Sequence, residues 1–252
     1  MQKKKSKVRP QKKSTRKKSA LTARQKMVPR VKSVHRERKR HRLNHFRRFM
    51  RHEIANLVTH GIGAGLSIAG LVFLIIHSAP DGNPIRVTAF AIYGACITTL
   101  YLSSTLYHSL MNPRLKRIFR KLDHSAIFLT IAGTYTPVAL LVLKGALGWW
   151  VFGIIWFLAL AGILYKILAL NFGSVASALP YIIMGWLLIA VIKPLYDVLP
   201  AAPLWWIFGG GLFYTVGTIF YAAERLPYHH MIWHLFVLAG SVCHYIMLYR
   251  YV

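Results

Sequence analysis

Acidic side chains are nearly missing from this chain. Six Asp and Glu stand among 252 residues, against 33 Lys and Arg. A soluble domain of this length carries a more even charge and fewer apolar residues; here 55% of residues are hydrophobic and the mean hydropathy is +0.42. Cysteine is scarce too. Cys96 and Cys243 form no Cys-x-x-Cys pair, so neither a disulfide framework nor a thiolate metal site is expected, and both read as small packing residues. A cleavable signal is also missing, because the basic N-terminal region is too long and the first apolar run is long enough to span a bilayer. Gly61, Gly63 and Gly65 follow no strand, which excludes a phosphate loop. With Ala64 they read as a surface for close helix packing.

What charge there is gathers at one end. Residues 1–51 hold 22 of the 33 Lys and Arg and a single acid, Glu37. Such a segment repels itself and lacks apolar residues, so it is expected to be a disordered basic tail. Its last part, residues 36–51, adds Leu43, Phe46, Phe49 and Met50, and suits a short amphipathic helix at the headgroup level. The tail fits anionic lipid headgroups. Nucleic acid is the weaker reading, because no folded reader and few stacking aromatics accompany the charge.

Residues 52–252 contain seven apolar segments, at about 54–77, 85–110, 123–143, 147–168, 175–194, 204–222 and 230–250. Each is near the roughly 20 residues that cross a hydrocarbon core. Backbone groups in lipid must be satisfied within the segment, so these are helices. The turn residues fall at 78–84, 112–121, 144–148, 170–174, 194–203 and 224–228. The expected fold is all-α: an integral membrane bundle of seven transmembrane helices. The two most basic flanks, 1–51 and 112–121, lie on one side if a single hairpin separates them. By the Lys/Arg bias that side is cytoplasmic, which puts the N-terminus inside and the C-terminus outside. Trp149, Trp150, Trp205 and Trp206 then open two spans at the outer interface.

This topology carries polar groups from four segments to one depth. They are Glu53, Asn56 and His60 on the first, Ser104 and His108 on the second, Asp123 on the third, and His230 and His234 on the seventh. Polar groups inside apolar spans are costly and mark function. Residues four apart share a helix face, so Ser104 and His108 point together, as do His230 and His234. Three imidazoles, His108, His230 and His234, suit zinc with one position left for water. Such a water is acidified to a pKa of about 7. Asp123 is then the candidate base and Ser104 its hydrogen-bonding support. His-Glu-x-x-His is absent because residue 231 is Met, so the base comes from another helix; Glu53 is the second candidate. Blander readings stand beside these. His60, His77 and His244 suit packing, and His124 and His229 are weaker ligands than their neighbours. Asp123 could cap the third helix or pair with Arg120 or Lys121. Ser104 could bond its own backbone.

The segments Glu53-Ile-Ala-Asn56-Leu-Val-Thr-His60, Ser104-Thr-Leu-Tyr-His108, Leu122-Asp123-His124, Ala132-Gly-Thr-Tyr-Thr-Pro137 and His230-Met-Ile-Trp-His234 resemble the haemolysin III branch of the progestin and adipoQ receptor (PAQR) superfamily. The resemblance covers about 52–250 and leaves the basic tail outside. It implies an N-terminus-inside seven-helix fold, zinc on His108, His230 and His234, and Asp123 and Ser104 around the metal water. It also implies ceramidase-like lipid amide hydrolysis in relatives and a bacterial inner membrane. Three functions follow as expectations. The first is an intramembrane hydrolase of a lipid amide or ester. The second is a receptor or lipid-homeostasis protein with structural zinc. The third is a cytolysin or channel, which would need polar residues along its whole length.

Overall fold

The computed structural model describes residues 12–168 and 174–252, with side chains from Arg38 onward except at 169–177. The chain divides into two units, Met1–Arg51 and His52–Val252. In the first, the backbone is helical from Lys12, within α1 (Lys12–Ser78). This differs from the disorder expected of the tail. Lys, Arg, Gln and Ala are good helix formers and can hold a helical backbone without any core. Residues 1–11 lie outside the described residues.

The second unit is all-α. After α1 come α2 (Pro84–Ser109), α3 (Pro113–Pro137), a π-helical turn (Val138–Leu143) and α4 (Gly145–Leu168). Then follow α5 (Ser174–Trp186), a 3₁₀ stretch (Leu187–Val191), α6 (Ile192–Val198), α7 (Ala201–Ala222) and α8 (His229–Tyr251). Among the described residues, seven helical spans are long and apolar enough to cross a membrane, and α5 with α6 makes one of them. Within the unit α2 packs on α3, α3 on α4, and α7 on α8.

Several boundaries differ from the hydropathy reading, each for a local reason. α3 begins at Pro113, ten residues before Asp123, because Asn112 caps it: its side chain accepts from the N–H of Arg114 (2.9 Å) and Leu115 (3.3 Å). An Asn–Pro pair at N-cap and N1 is a strong start signal, and the basic stretch read as a loop is this helix's first turns. Asp123 is therefore no cap. The fifth span continues past Pro194 to Val198. The tight turn after α3 starts at Pro137, which lacks an N–H, and widens into a π turn in which Lys144 N–H donates to Ala139 O at 3.1 Å. Lys144 and Gly145 then both take φ of 52° to reverse the chain. Of the expected connection 170–174, residues 170–173 lie outside the described residues.

Large aromatics fill the centre of the unit, among them Phe90, Tyr93, Tyr101 and Phe128. Large apolar side chains also point outward: Trp205 is 75% exposed and Phe157 70%. A water-soluble bundle would hide such residues; a bilayer-embedded one presents them to lipid. Gly63 is required where α1 meets α2, since any Cβ there would strike the Tyr101 ring, whereas Gly65 faces open space. Cys96 and Cys243 are free and buried.

Candidate metal centre

The end of α2, the start of α8 and the polar face of α1 meet at one place. α2 stops at Ser109, so His108 sits in its last turn; α8 starts at His229, so His230 and His234 occupy its first two turns. The ligand-competent nitrogens of His108, His230 and His234 all lie within 4.8 Å of one another. The rings meet edge to face, with centroids 4.6 Å apart for His230 and His234 and 5.2 Å for His108 and His234.

The Nε2 atoms of all three are buried with no hydrogen-bond partner among the described residues. Buried polar atoms are nearly always satisfied, so three open nitrogens converging in one place need an explanation. The other edges of two rings supply it. His108 Nδ1 lies 2.9 Å from Glu53 Oε2. A carboxylate only accepts, so Nδ1 carries the proton and Nε2 is left as a bare lone pair. Lys116 Nζ fixes the same Glu53 oxygen at 2.8 Å, and Asn56 Nδ2 lies 3.5 Å from His108 Nδ1. His234 Nδ1 lies 3.1 Å from Thr59 Oγ1. Bare imidazole lone pairs repel one another, and a cation between them removes the repulsion. The residues fit a metal of the borderline type that three imidazoles favour.

Ser104 and Asp123 are 0% and 3% exposed. The Ser104 hydroxyl lies beside the Asp123 carboxyl, yet Ser104 Oγ and Asp123 Oδ1 both lack a completed hydrogen bond among the described residues. Two blander readings fall here. Ser103 and Thr105, not Ser104, bond back to the α2 backbone. Asp123 forms no ion pair among the described residues, and Lys121 donates instead to Ile167 O at 2.8 Å. Asp123 is not one of the three-nitrogen set. Glu53 is tied to His108 and Lys116, which suits an orienting group.

His60 is 1% exposed and stacks on His234, with centroids 3.4 Å apart and 14° between planes. His244 Nε2 donates to Ile207 O at 3.2 Å, and the His77 ring rests on Tyr249. His124 faces a cavity, and His229 adds no nitrogen to the set. Sequence reasoning passed over Thr59 and Lys116. Thr59 stands within the first helix's polar stripe, which was its one signal; Lys116 had none.

A cavity of about 130 Å³ lies beside the cluster, lined by His60 and Trp233, whose rings contact His234. His60, His124, Tyr221 and Trp233 line the end near the cluster, and Tyr135, Trp186, Gly211 and His244 the far end. Trp233 to His244 is eleven residues of α8, or about 16 Å of helix rise. Its walls, from α1, α2, α3, α5, α7 and α8, are mostly apolar and aromatic with a few threonines and histidines.

The model of a family described as Haemolysin-III related matches residues 49–245. Hemolysin-3 of Bacillus cereus is 50% identical over 204 residues, covering 81% of this chain and 93% of that protein. The Hemolysin-3 homolog of Bacillus subtilis (strain 168) is 50% identical over 192 residues, covering 76% and 90%. Monocyte to macrophage differentiation factor of Homo sapiens is 28% identical over 228 residues, covering 82% and 93%. No solved structure matches this chain. With the match running from the polar stripe of α1 through the histidines of α8, the chain belongs to the Haemolysin-III related family.

Proposed function

We propose that this protein is a zinc-dependent intramembrane hydrolase of a lipid amide or ester. The observation that carries the reading is three open imidazole nitrogens with an apolar cavity beside them, separated from His234 only by the His60 and Trp233 rings. A polar reaction centre beside an apolar, aromatic-walled cavity suits a substrate with a carbonyl head and an alkyl chain. His108, His230 and His234 would hold the ion. Bound zinc supplies Lewis-acid polarisation of a carbonyl and a water acidic enough to ionise near neutral pH. Asp123 takes and returns the proton, with Ser104 orienting its carboxyl. The cavity seats the chain and keeps bulk water from the scissile bond. The resemblance of the polar segments to the PAQR superfamily, which implies ceramidase-like relatives, fits this class of substrate. The apolar cavity walls count against a water-filled pore.

The same reading places the N-terminus in the cytoplasm, the basic tail against anionic lipid, and the protein in a bacterial plasma membrane. The Lys/Arg bias and the bacterial relatives support this arrangement.

The test uses detergent-purified full-length chain and a panel of lipid amides and esters, with ceramide among them. Wild type should hold near one equivalent of zinc and release fatty acid. His234→Ala should lose both. Turnover that survives in His234→Ala sinks the hydrolase reading. Stoichiometric zinc without turnover anywhere in the panel leaves a structural metal in a receptor-type protein.

A further inference from the structure

We infer that Thr59 is a positioning residue: its hydroxyl selects the tautomer in which His234 turns a bare Nε2 toward the metal. This rests on the metal centre proposed above and adds a determinant on a different helix.

The argument is proton accounting. Thr59 Oγ1 lies 3.0 Å from Ala55 O, 2.9 Å from Asn56 O and 3.1 Å from His234 Nδ1. A hydroxyl has one proton to give and two lone pairs to receive with. Donated to either backbone carbonyl, that proton leaves a lone pair facing His234, and Nδ1 is then the N–H; the Asn56 carbonyl, which also bonds the His234 ring, accepts from the same edge. A neutral imidazole has one N–H, so Nε2 is bare. That Nε2 is buried and unpartnered among the described residues, and His234 offers a ligand nitrogen within 4.8 Å of those of His108 and His230.

The next residue completes the hold. His60 covers the face of the His234 ring at 3.4 Å while Thr59 holds its edge. Both His60 nitrogens lack a hydrogen-bond partner among the described residues, so His60 makes no competing bond to His234 Nδ1 there. Glu53 performs the same service for His108 with a charged acceptor. One face of α1 thus orients ligands on α2 and α8 without supplying one itself. The two acceptors differ: a carboxylate makes its imidazole a stronger donor than a hydroxyl does.

Cobalt(II) reports the site directly, through uptake and through its visible spectrum. Thr59→Val keeps the branched shape and removes the hydroxyl; Thr59→Ser keeps the hydroxyl and removes the methyl. In full-length protein, Thr59→Val should bind Co²⁺ about 10–100-fold more weakly in chelator competition. Its spectrum should shift while the metal-free melting temperature stays near wild type. Thr59→Ser should restore affinity and spectrum. Wild-type affinity and spectrum in Thr59→Val overturn the inference while leaving the metal centre intact. So does a Thr59→Ser as weak as Thr59→Val, which makes methyl packing the determinant. No Co²⁺ or Zn²⁺ uptake by wild type overturns the metal centre, and this inference with it.

Discussion

Two buried polar clusters in this unit obey opposite rules. In the first, Tyr101 donates to Ser241 Oγ at 2.8 Å, Tyr214 meets the same oxygen at 3.0 Å, and Ser241 donates to Val237 O at 2.9 Å. Nearby, Trp186 Nε1 donates to Thr215 Oγ1 and Tyr135 OH to Gly185 O. These bonds close on themselves and tie α2, α7 and α8 together; Tyr93 OH and His244 Nδ1 lack a partner among the described residues. In the second cluster the open atoms dominate: three Nε2, Ser104 Oγ and Asp123 Oδ1. A network that serves stability spends its donors on its own acceptors. A network that serves a ligand keeps some back, and the protein carries the cost of roughly 1–3 kcal/mol for each open group. The difference predicts that damage to the closed cluster lowers stability and spares metal, while damage to the open one does the reverse.

The harshest test is His230→Ala with His234→Ala. Bound zinc should fall from near one equivalent to background, measured by elemental analysis, while helicity by circular dichroism stays that of wild type. Loss of the fold together with the metal would break the comparison, because the open cluster would then be holding the bundle up. Asp123→Asn comes next. It keeps the shape and removes the charge, so zinc content should hold and fatty-acid release should drop by about 10²–10⁴-fold. Zinc lost in this variant would make Asp123 part of the metal site itself.

Glu53→Gln sharpens the picture within the open cluster. The amide oxygen can still accept from His108 Nδ1, but the charge shared with Lys116 is gone. Zinc affinity should weaken by about 10-fold in chelator competition. An unchanged affinity would reduce Glu53 to a tether for Lys116.

How much of this could be read without coordinates follows from range. The spans were legible because twenty apolar residues in a row admit few other structures. The histidines were legible because i, i+4 spacing fixes a helix face and the topology fixes depth. The start of α3 was hidden, since hydropathy reads Arg114 to Lys121 as a loop while the local signal, Asn112 before Pro113, marks a helix. The π turn after Pro137 and the 3₁₀ stretch at Leu187–Val191 are backbone adjustments that no hydropathy window reports. Thr59 was hidden for a different reason. Its role depends on a partner 175 residues away and on where one proton goes. Periodicity shows which face a residue takes, and only the packed structure shows what waits on the other side.

The mildest test falls on the closed cluster, and it bears most directly on the rule. Tyr101→Phe removes one hydroxyl from a side chain 1% exposed and leaves the ring that packs against Gly63. Ser241 keeps its donation to Val237 O and its contact with Tyr214, so no acceptor is stranded. The loss should be about 1 kcal/mol, the net worth of one neutral hydrogen bond, read as a small fall in melting temperature in detergent. Zinc content and affinity should match wild type. The ring of Tyr101 also meets His60 edge-on at 5.1 Å, and His60 stacks on His234. That contact is made by the ring and survives the substitution. If removing the hydroxyl alone weakened zinc binding, the two clusters would be coupled through Tyr101 and His60, and the division between a closed network for stability and an open one for the metal would fail.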